Sequence, residues 1–237
     1  MRALIQYLPL ATTVIAFVLA GMLFGRWRTR EAAPHLLWWM LGALTFAAGT
    51  ITESVTTLFG WHEPVFRAWY ITGALLGGAP LAQGTVYLML PRRTAHVLTG
   101  ALLAVVAVAA TCVLLSPINA DLVRPRHLSG QVLSWTWVRA FSPFINTYAL
   151  VFLVGGAAVS ALRYARAADT LHRAAGNTFI AVGALLPGIG GAFTRFGHTE
   201  VLYVTELVGL LLIIAGYRTI TSRRPGVSHG SVPVLAS

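Results

Sequence analysis

The chain has 237 residues, 57% of them apolar and only 10% charged, with a mean hydropathy of +0.73. A soluble domain of this length carries about 25% charged residues, so an ordinary soluble globule, a disordered chain and a nucleic-acid-binding domain are all excluded. The formal net charge of +10 comes from seventeen arginines, with no lysine, set against seven acids. Cys112 is the single cysteine and lies in an apolar run, which leaves no disulfide within the chain and no cysteine-based metal cluster.

A helix that crosses a bilayer needs roughly 20 mostly apolar residues. Such runs fall at about 3–24, 35–59, 65–90, 97–116, 142–163, 175–196 and 200–219. They predict an all-α, polytopic membrane protein: a seven-transmembrane-helix bundle over residues 1–222, followed by a flexible cytoplasmic tail at 223–237. The first run is expected to stay as a span rather than be cleaved as a signal peptide. It is too long, and its basic cluster (Arg26, Arg28, Arg30) follows it.

Arginine placement orients the bundle. Alternate loops put Arg26, Arg28, Arg30, Arg92, Arg93, Arg163, Arg166, Arg173, Arg218, Arg223 and Arg224 on one side. Arg2, Arg67, Arg124, Arg126, Arg139 and Arg195 fall on the other. The positive-inside rule then places the N-terminus outside and the C-terminus in the cytoplasm of a cell inner membrane. Tryptophans fit the same frame, with Trp27, Trp38 and Trp39 at the cytoplasmic edge and Trp61, Trp69, Trp135 and Trp137 at the outer one. The longest connection, about 117–140, lies outside and ends in Ser134-Trp135-Thr136-Trp137, a candidate short interfacial helix.

Two outer hairpins read alike: Thr57-Leu58-Phe59-Gly60-Trp61-His62-Glu63 and Thr194-Arg195-Phe196-Gly197-His198-Thr199-Glu200. The first joins spans two and three, the second spans six and seven, as a parallel 3+1+3 repeat requires. This layout resembles that of the SWEET sugar transporters and of the microbial rhodopsins. The Pro-Gln signature of the SWEET family is not matched, since Pro80 and Gln83 stand three apart. Retinal is held on a lysine, and without one a retinal pump or photosensor is excluded. Phe66-Arg67-Ala68-Trp69-Tyr70, Gly73-Ala74 and Gly84-Thr85-Val86-Tyr87-Leu88 resemble a pattern of uncharacterised bacterial seven-helix membrane proteins. That resemblance implies the fold and no particular activity.

Ionisable groups inside a span cost about 2.5–3.5 kcal/mol each on insertion scales, so each needs a partner or a wet cavity. Glu53 lies seven residues before Gly60 and Arg67 seven after it, which puts both roughly 10 Å below the outer hairpin. They are expected to form an ion pair. Glu206 reaches a similar depth from span seven, and Arg195 stands near the outer end of span six. Asn146 and Tyr148 enter the same layer from span five, and Tyr70 and Tyr203 add hydroxyls to it. Three arrangements satisfy these groups: a sealed network fixing helix register, a polar pocket open to the outside, or side chains snorkelling to the surface. Pro80 after Gly77-Gly78, and Pro187 before Gly188, Gly190 and Gly191, mark spans three and six as candidates for breaks near the midplane. His62, Glu63, His198 and Glu200 offer a His and a Glu on each outer hairpin, but exposed loop histidines are ordinarily solvated and no metal is assigned to them.

Motifs of hydrolases and metalloproteases are missing, no histidine stands deep in a span to ligate haem, and no cofactor is expected. The expectation is a non-enzymatic protein whose outward-facing pocket, built from Glu53, Arg67, Tyr70, Asn146, Arg195, Tyr203 and Glu206, handles and transports a small solute or ion. The alternatives are a receptor-like sensor acting through a partner membrane protein, and a structural subunit of a membrane complex. A homo-oligomer is compatible with each.

Overall fold

The computed structural model describes residues 5–30, 33–194 and 196–222. The expected tail at 223–237 and Arg195 lie outside them. The described residues form helices and turns with only two isolated β-bridges. The helices are α1 (Leu8–Arg28), α2 (Pro34–Phe59), α3 (Glu63–Trp69), α4 (Ala79–Met89), α5 (Arg92–Leu115), α6 (Phe141–Ala149), α7 (Gly156–Tyr164), α8 (Leu171–Thr194) and α9 (Thr199–Thr221). A wide, π-helical turn at Tyr70–Leu75 follows α3, and a second at Leu150–Gly155 joins α6 to α7. Six stretches are long and apolar enough to cross a membrane: Leu8–Arg28, Pro34–Phe59, Arg92–Leu115, Thr136–Tyr164, Ala168–Thr194 and Thr199–Thr221. The chain is a multi-pass, all-α membrane protein.

Local sequence explains where the helices start and stop. Pro9, Pro34, Pro64 and Pro80 each stand in the first turn of a helix, where a missing N–H costs nothing and a fixed φ favours entry. Gly60 and Gly197 close the two outer hairpins at φ 88° and 86°, a left-handed conformation that glycine adopts without strain. The two hairpins that read alike thus share a turn glycine of the same conformation.

The third apolar run is not one continuous helix. After the π-helical turn the chain breaks at residues 76–78 and restarts at Ala79, with Pro80 in the new first turn. Gly77 fits there because a Cβ would come within 2.6 Å of the Gly73 carbonyl. Span six behaves otherwise: α8 runs unbroken through Pro187, so the expected second break is absent. The tryptophan-rich end of the outer connection is a single tight turn, Thr136–Ala140, that feeds directly into α6.

Packing closes a ring. α1 lies against α2 and α9; α2 against α3 and α4; α4 against α6 and the second π-helical turn; α7 and that turn against α8; and α8 against α9. α5 stands outside the ring, touching α4, the first π-helical turn and the Thr136–Ala140 turn. Large apolar side chains such as Val14, Phe17, Val97, Leu103, Leu162 and Val182 face outward. Helix contacts instead use small residues, Ala16, Ala20, Ala43 and Ala47 among them, as expected where lipid removes the hydrophobic drive and close backbone approach must hold the helices. The tightest pair is α8 with α9. Gly176 meets Gly216, Gly183 meets Gly209 and Gly190 meets Leu202, one contact every seven residues. Between α1 and α2, Thr13 and Thr50 share a 2.7 Å hydrogen bond.

The outer connection is ordered by its own packing. Val132, Leu133 and Val138 are buried with Phe66, Val113 and Ile145. The Asn119 and Ser134 N–H groups bond to the Val132 and Pro117 carbonyls, folding the segment back on itself.

Candidate functional site

The six-membered ring encloses a cavity of about 880 Å³. α2, the broken third apolar run, α6, the second π-helical turn, α8 and α9 supply most of its wall, and α5 supplies none. Both π-helical turns border it, through Tyr70, Gly73 and Ala74 on one side and Leu150, Leu153 and Val154 on the other. Such widened turns recur at functional sites because they displace backbone groups from the regular helical ladder. Here Ala74, just before the break, offers its carbonyl across the cavity wall. The Ser142 hydroxyl donates to it at 2.8 Å and the Asn146 amide at 3.2 Å.

Glu53 and Glu206 form the acidic part of the wall. They are only 4% and 9% exposed, and the two carboxyl groups lie within hydrogen-bonding reach of each other across the space between α2 and α9. The Trp69 indole N–H donates to Glu53 Oε1 at 3.1 Å. Tyr203 packs behind this pair, with its hydroxyl on the Thr57 side chain, and does not line the cavity.

At the end of the cavity bordered by the 121–139 connection the lining changes sign. Arg124 and Arg139 border the cavity there, with Asp121 and His127. The 121–131 segment covers part of the opening and is held at several points. His127 Nδ1 and the Thr199 hydroxyl are 3.1 Å apart, Gly130 lies so close to the Tyr70 ring that a Cβ would come within 2.7 Å, and Pro125 lies over Gly60. Burial, and secondarily the Arg124 guanidinium, lower the His127 pKa below its ordinary 6.5.

Of the residues singled out from sequence, Glu53, Tyr70, Asn146 and Glu206 meet in one cavity. Tyr203 stands just behind it, and Arg195 lies outside the described residues. The expected Glu53–Arg67 ion pair is not formed. Arg67 pairs with Glu63 instead, Nη2 to Oε1 at 2.7 Å and Nε to Oε1 at 2.9 Å. Its remaining N–H groups donate to the Val113 and Ser116 carbonyls at the end of α5, with Nη2 to Ser116 at 3.0 Å. The reason is rotational. Two residues along an α-helix turn the side chain by about 200°, so Trp69 faces Glu53 while Arg67 points the opposite way, at α5. A guanidinium there caps carbonyls that lack helical partners and sits at the negative end of the helix dipole.

Sequence reading assigned Trp69 to the outer aromatic belt, whereas its N–H serves Glu53 inside the bundle. It also missed Ser142, gave the 117–140 connection no place at the site, and set Tyr148 in the Glu53 layer, whereas Tyr148 belongs to a separate polar cluster. In that cluster Tyr148 donates to Gln83, and Gln83 donates to Thr99 at 2.7 Å. Tyr87 in turn contacts Thr99 at 3.1 Å and His96 at 2.9 Å. Glu63 is engaged by Arg67, and His198 lies 3.7 Å from Glu200. No known protein family, characterised protein or solved structure matches this chain. The functional reading therefore rests on the cavity itself.

Proposed function

We propose that the chain is a seven-span carrier of the cell inner membrane, with its N-terminus outside, and that the central cavity takes up a small polar solute or ion from the outer face. The observation that carries this reading is the cavity of about 880 Å³, a size suited to a small molecule, with its polar wall of Glu53, Glu206, Trp69, Ser142 and Asn146. A merely structural polar network fills its own space, whereas this one borders an open volume. The third apolar run supplies the seventh span, interrupted at residues 76–78 beside the cavity, as in carriers whose discontinuous helices lend backbone groups to a substrate. The shared conformation of Gly60 and Gly197 favours the 3+1+3 repeat, in which the outer hairpins are equivalent. Arginine asymmetry supports the orientation.

A thiol placed on the cavity wall tests the reading. With Cys112 first replaced by Ala, Asn146→Cys should react with a membrane-impermeant thiol reagent both in intact cells and in inside-out vesicles, because a carrier exposes its site to each side in turn. Phe144→Cys, two residues away on the outward face of α6, should stay unreactive, since lipid supplies no water to form a thiolate. Reaction from the outer side alone would replace the carrier with a sensor. Protection of Asn146→Cys from both sides would remove the open cavity and the reading with it.

A further inference from the structure

The carboxyl groups of Glu53 and Glu206 carry a demand that the protein does not meet. They are in hydrogen-bonding reach of one another, yet among the described residues no N–H or O–H group reaches Oε2 of either. A hydrogen bond between two carboxyl groups requires a proton on one of them. Among the described residues no positive side chain substitutes for it: Arg67 is held by Glu63 and the end of α5, while Arg124, Arg139 and His127 border the far end of the cavity. Trp69 uses its single N–H on Glu53 Oε1, and Tyr203 is hydrogen-bonded to Thr57. Tyr70 is the remaining titratable group on the neighbouring wall. A divalent cation is poorly served, because no third His, Cys, Asp or Glu joins the two among the described residues and such ions take six or more oxygen ligands.

We infer that Glu53 and Glu206 form a proton-binding site on the cavity wall, holding one exchangeable proton between them. Resting on the carrier reading, this proton is the coupling ion that enters or leaves as the solute binds. On release, the O–H bond of the protonated carboxyl breaks, its electron pair stays on the oxygen, and the proton passes to water in the cavity. Both residues then carry negative charge in a site nearly closed to solvent. That state is costly unless solute or solvent compensates it, which is what links proton and solute. The pair sits where such a linkage is useful, buried deeply enough to hold the proton and bordering the volume a solute would fill.

Infrared difference spectroscopy of the purified full-length protein, titrated from acid to alkaline pH without solute, reads the site directly. Wild type minus the Glu53→Gln/Glu206→Gln double variant should show a protonated-carboxyl C=O band that disappears on alkaline titration, and each single Gln variant should change the frequency of that band. Proton release from wild type in weak buffer should exceed that of the double variant by about one per chain, a second measurement independent of the band. Arg195→Gln should leave the band unchanged. The inference is overturned if the difference shows no such band, if the band never titrates, if neither single Gln variant changes it, or if Arg195→Gln creates or abolishes it. It is also overturned if sodium or potassium chloride at fixed pH displaces it, which would assign the site to a metal cation. None of these outcomes touches the Asn146→Cys accessibility result, so the proton site and the carrier reading fail separately.

Discussion

Replacing Gly183 by Ala tests the packing that holds α8 to α9. A Cβ at Gly183 would stand 2.5 Å from the Gly209 carbonyl oxygen, 3.0 Å from Leu212 Cβ and 3.1 Å from Ile213 Cγ1. The first contact is to backbone, so it is relieved only by moving the helices apart, with strain of about 1–3 kcal/mol for an overpacked methyl group. Against this stands a gain of roughly 0.5–1 kcal/mol for Ala over Gly in a helix interior. Gly188, five residues along the same helix, has no neighbouring atom within 4 Å of its would-be Cβ, so Gly188→Ala takes the gain without the strain. The helix contribution is common to both variants and cancels in their comparison. Gly183→Ala should therefore melt below Gly188→Ala by about 2–12 °C, taking about 2–4 °C per kcal/mol for a chain of this size. Thermal unfolding of the two variants and wild type in one detergent, followed by circular dichroism, gives the comparison. Equal melting of the two variants, or a Gly183→Ala protein more stable than wild type, would refute close glycine packing as what holds this pair.

Two further outcomes follow from the charged groups. In double-mutant cycles with Gln substitutions, Arg67 should couple to Glu63 by about 0.3–0.5 kcal/mol, as for helical i,i+4 pairs, and not to Glu53. A larger Glu53–Arg67 coupling would restore the ion pair expected from sequence and invalidate the Trp69 contact. The folded pKa of His127 lies below 6.5, so the undocked segment takes up a proton first; docking is unaffected above about pH 6.5 and weakens as pH falls below it. Hydrogen exchange at residues 121–131 should accelerate on acidification and lose that dependence in His127→Gln, whereas faster exchange on the alkaline side would contradict the sign.

Sequence legibility followed the length scale of each signal. Spans are legible because twenty apolar residues outweigh any local preference, and the outer hairpins because glycine is needed where φ is positive. The break in the third apolar run was visible in Gly77-Gly78 and Pro80. The same logic failed at Pro187, because a proline within a packed transmembrane helix need not break it when neighbours accommodate its ring; here Gly209 leaves that room. Depth was also legible: counting residues from Gly60 and Gly197 placed Glu53 and Glu206 in one layer. Face was not. The same count that gave Arg67 its depth said nothing about rotation about the helix axis, and a shift of two residues exchanged Trp69 for Arg67 as the partner of Glu53. The 121–131 segment was illegible for another reason, since its place over the cavity depends on distant contacts with Tyr70, Gly60 and Thr199.

The rotation that separates Arg67 from Glu53 has consequences for the whole bundle. Had the two paired, Glu206 would have been left as the unpaired carboxyl of that layer among the described residues. Instead Arg67 is held by Glu63 and by the free carbonyls of α5, and so ties α5, which stands outside the ring, to α3. The charge of the outer wall is thereby divided: the arginine serves structure at the periphery, and both glutamates remain on the cavity side. An intramembrane charge without a partner costs several kcal/mol, so a wall holding two carboxyls and no facing cation among the described residues is stable only if protons, water or a solute complete it. The open volume gives protons, water or a solute their access to the acidic pair.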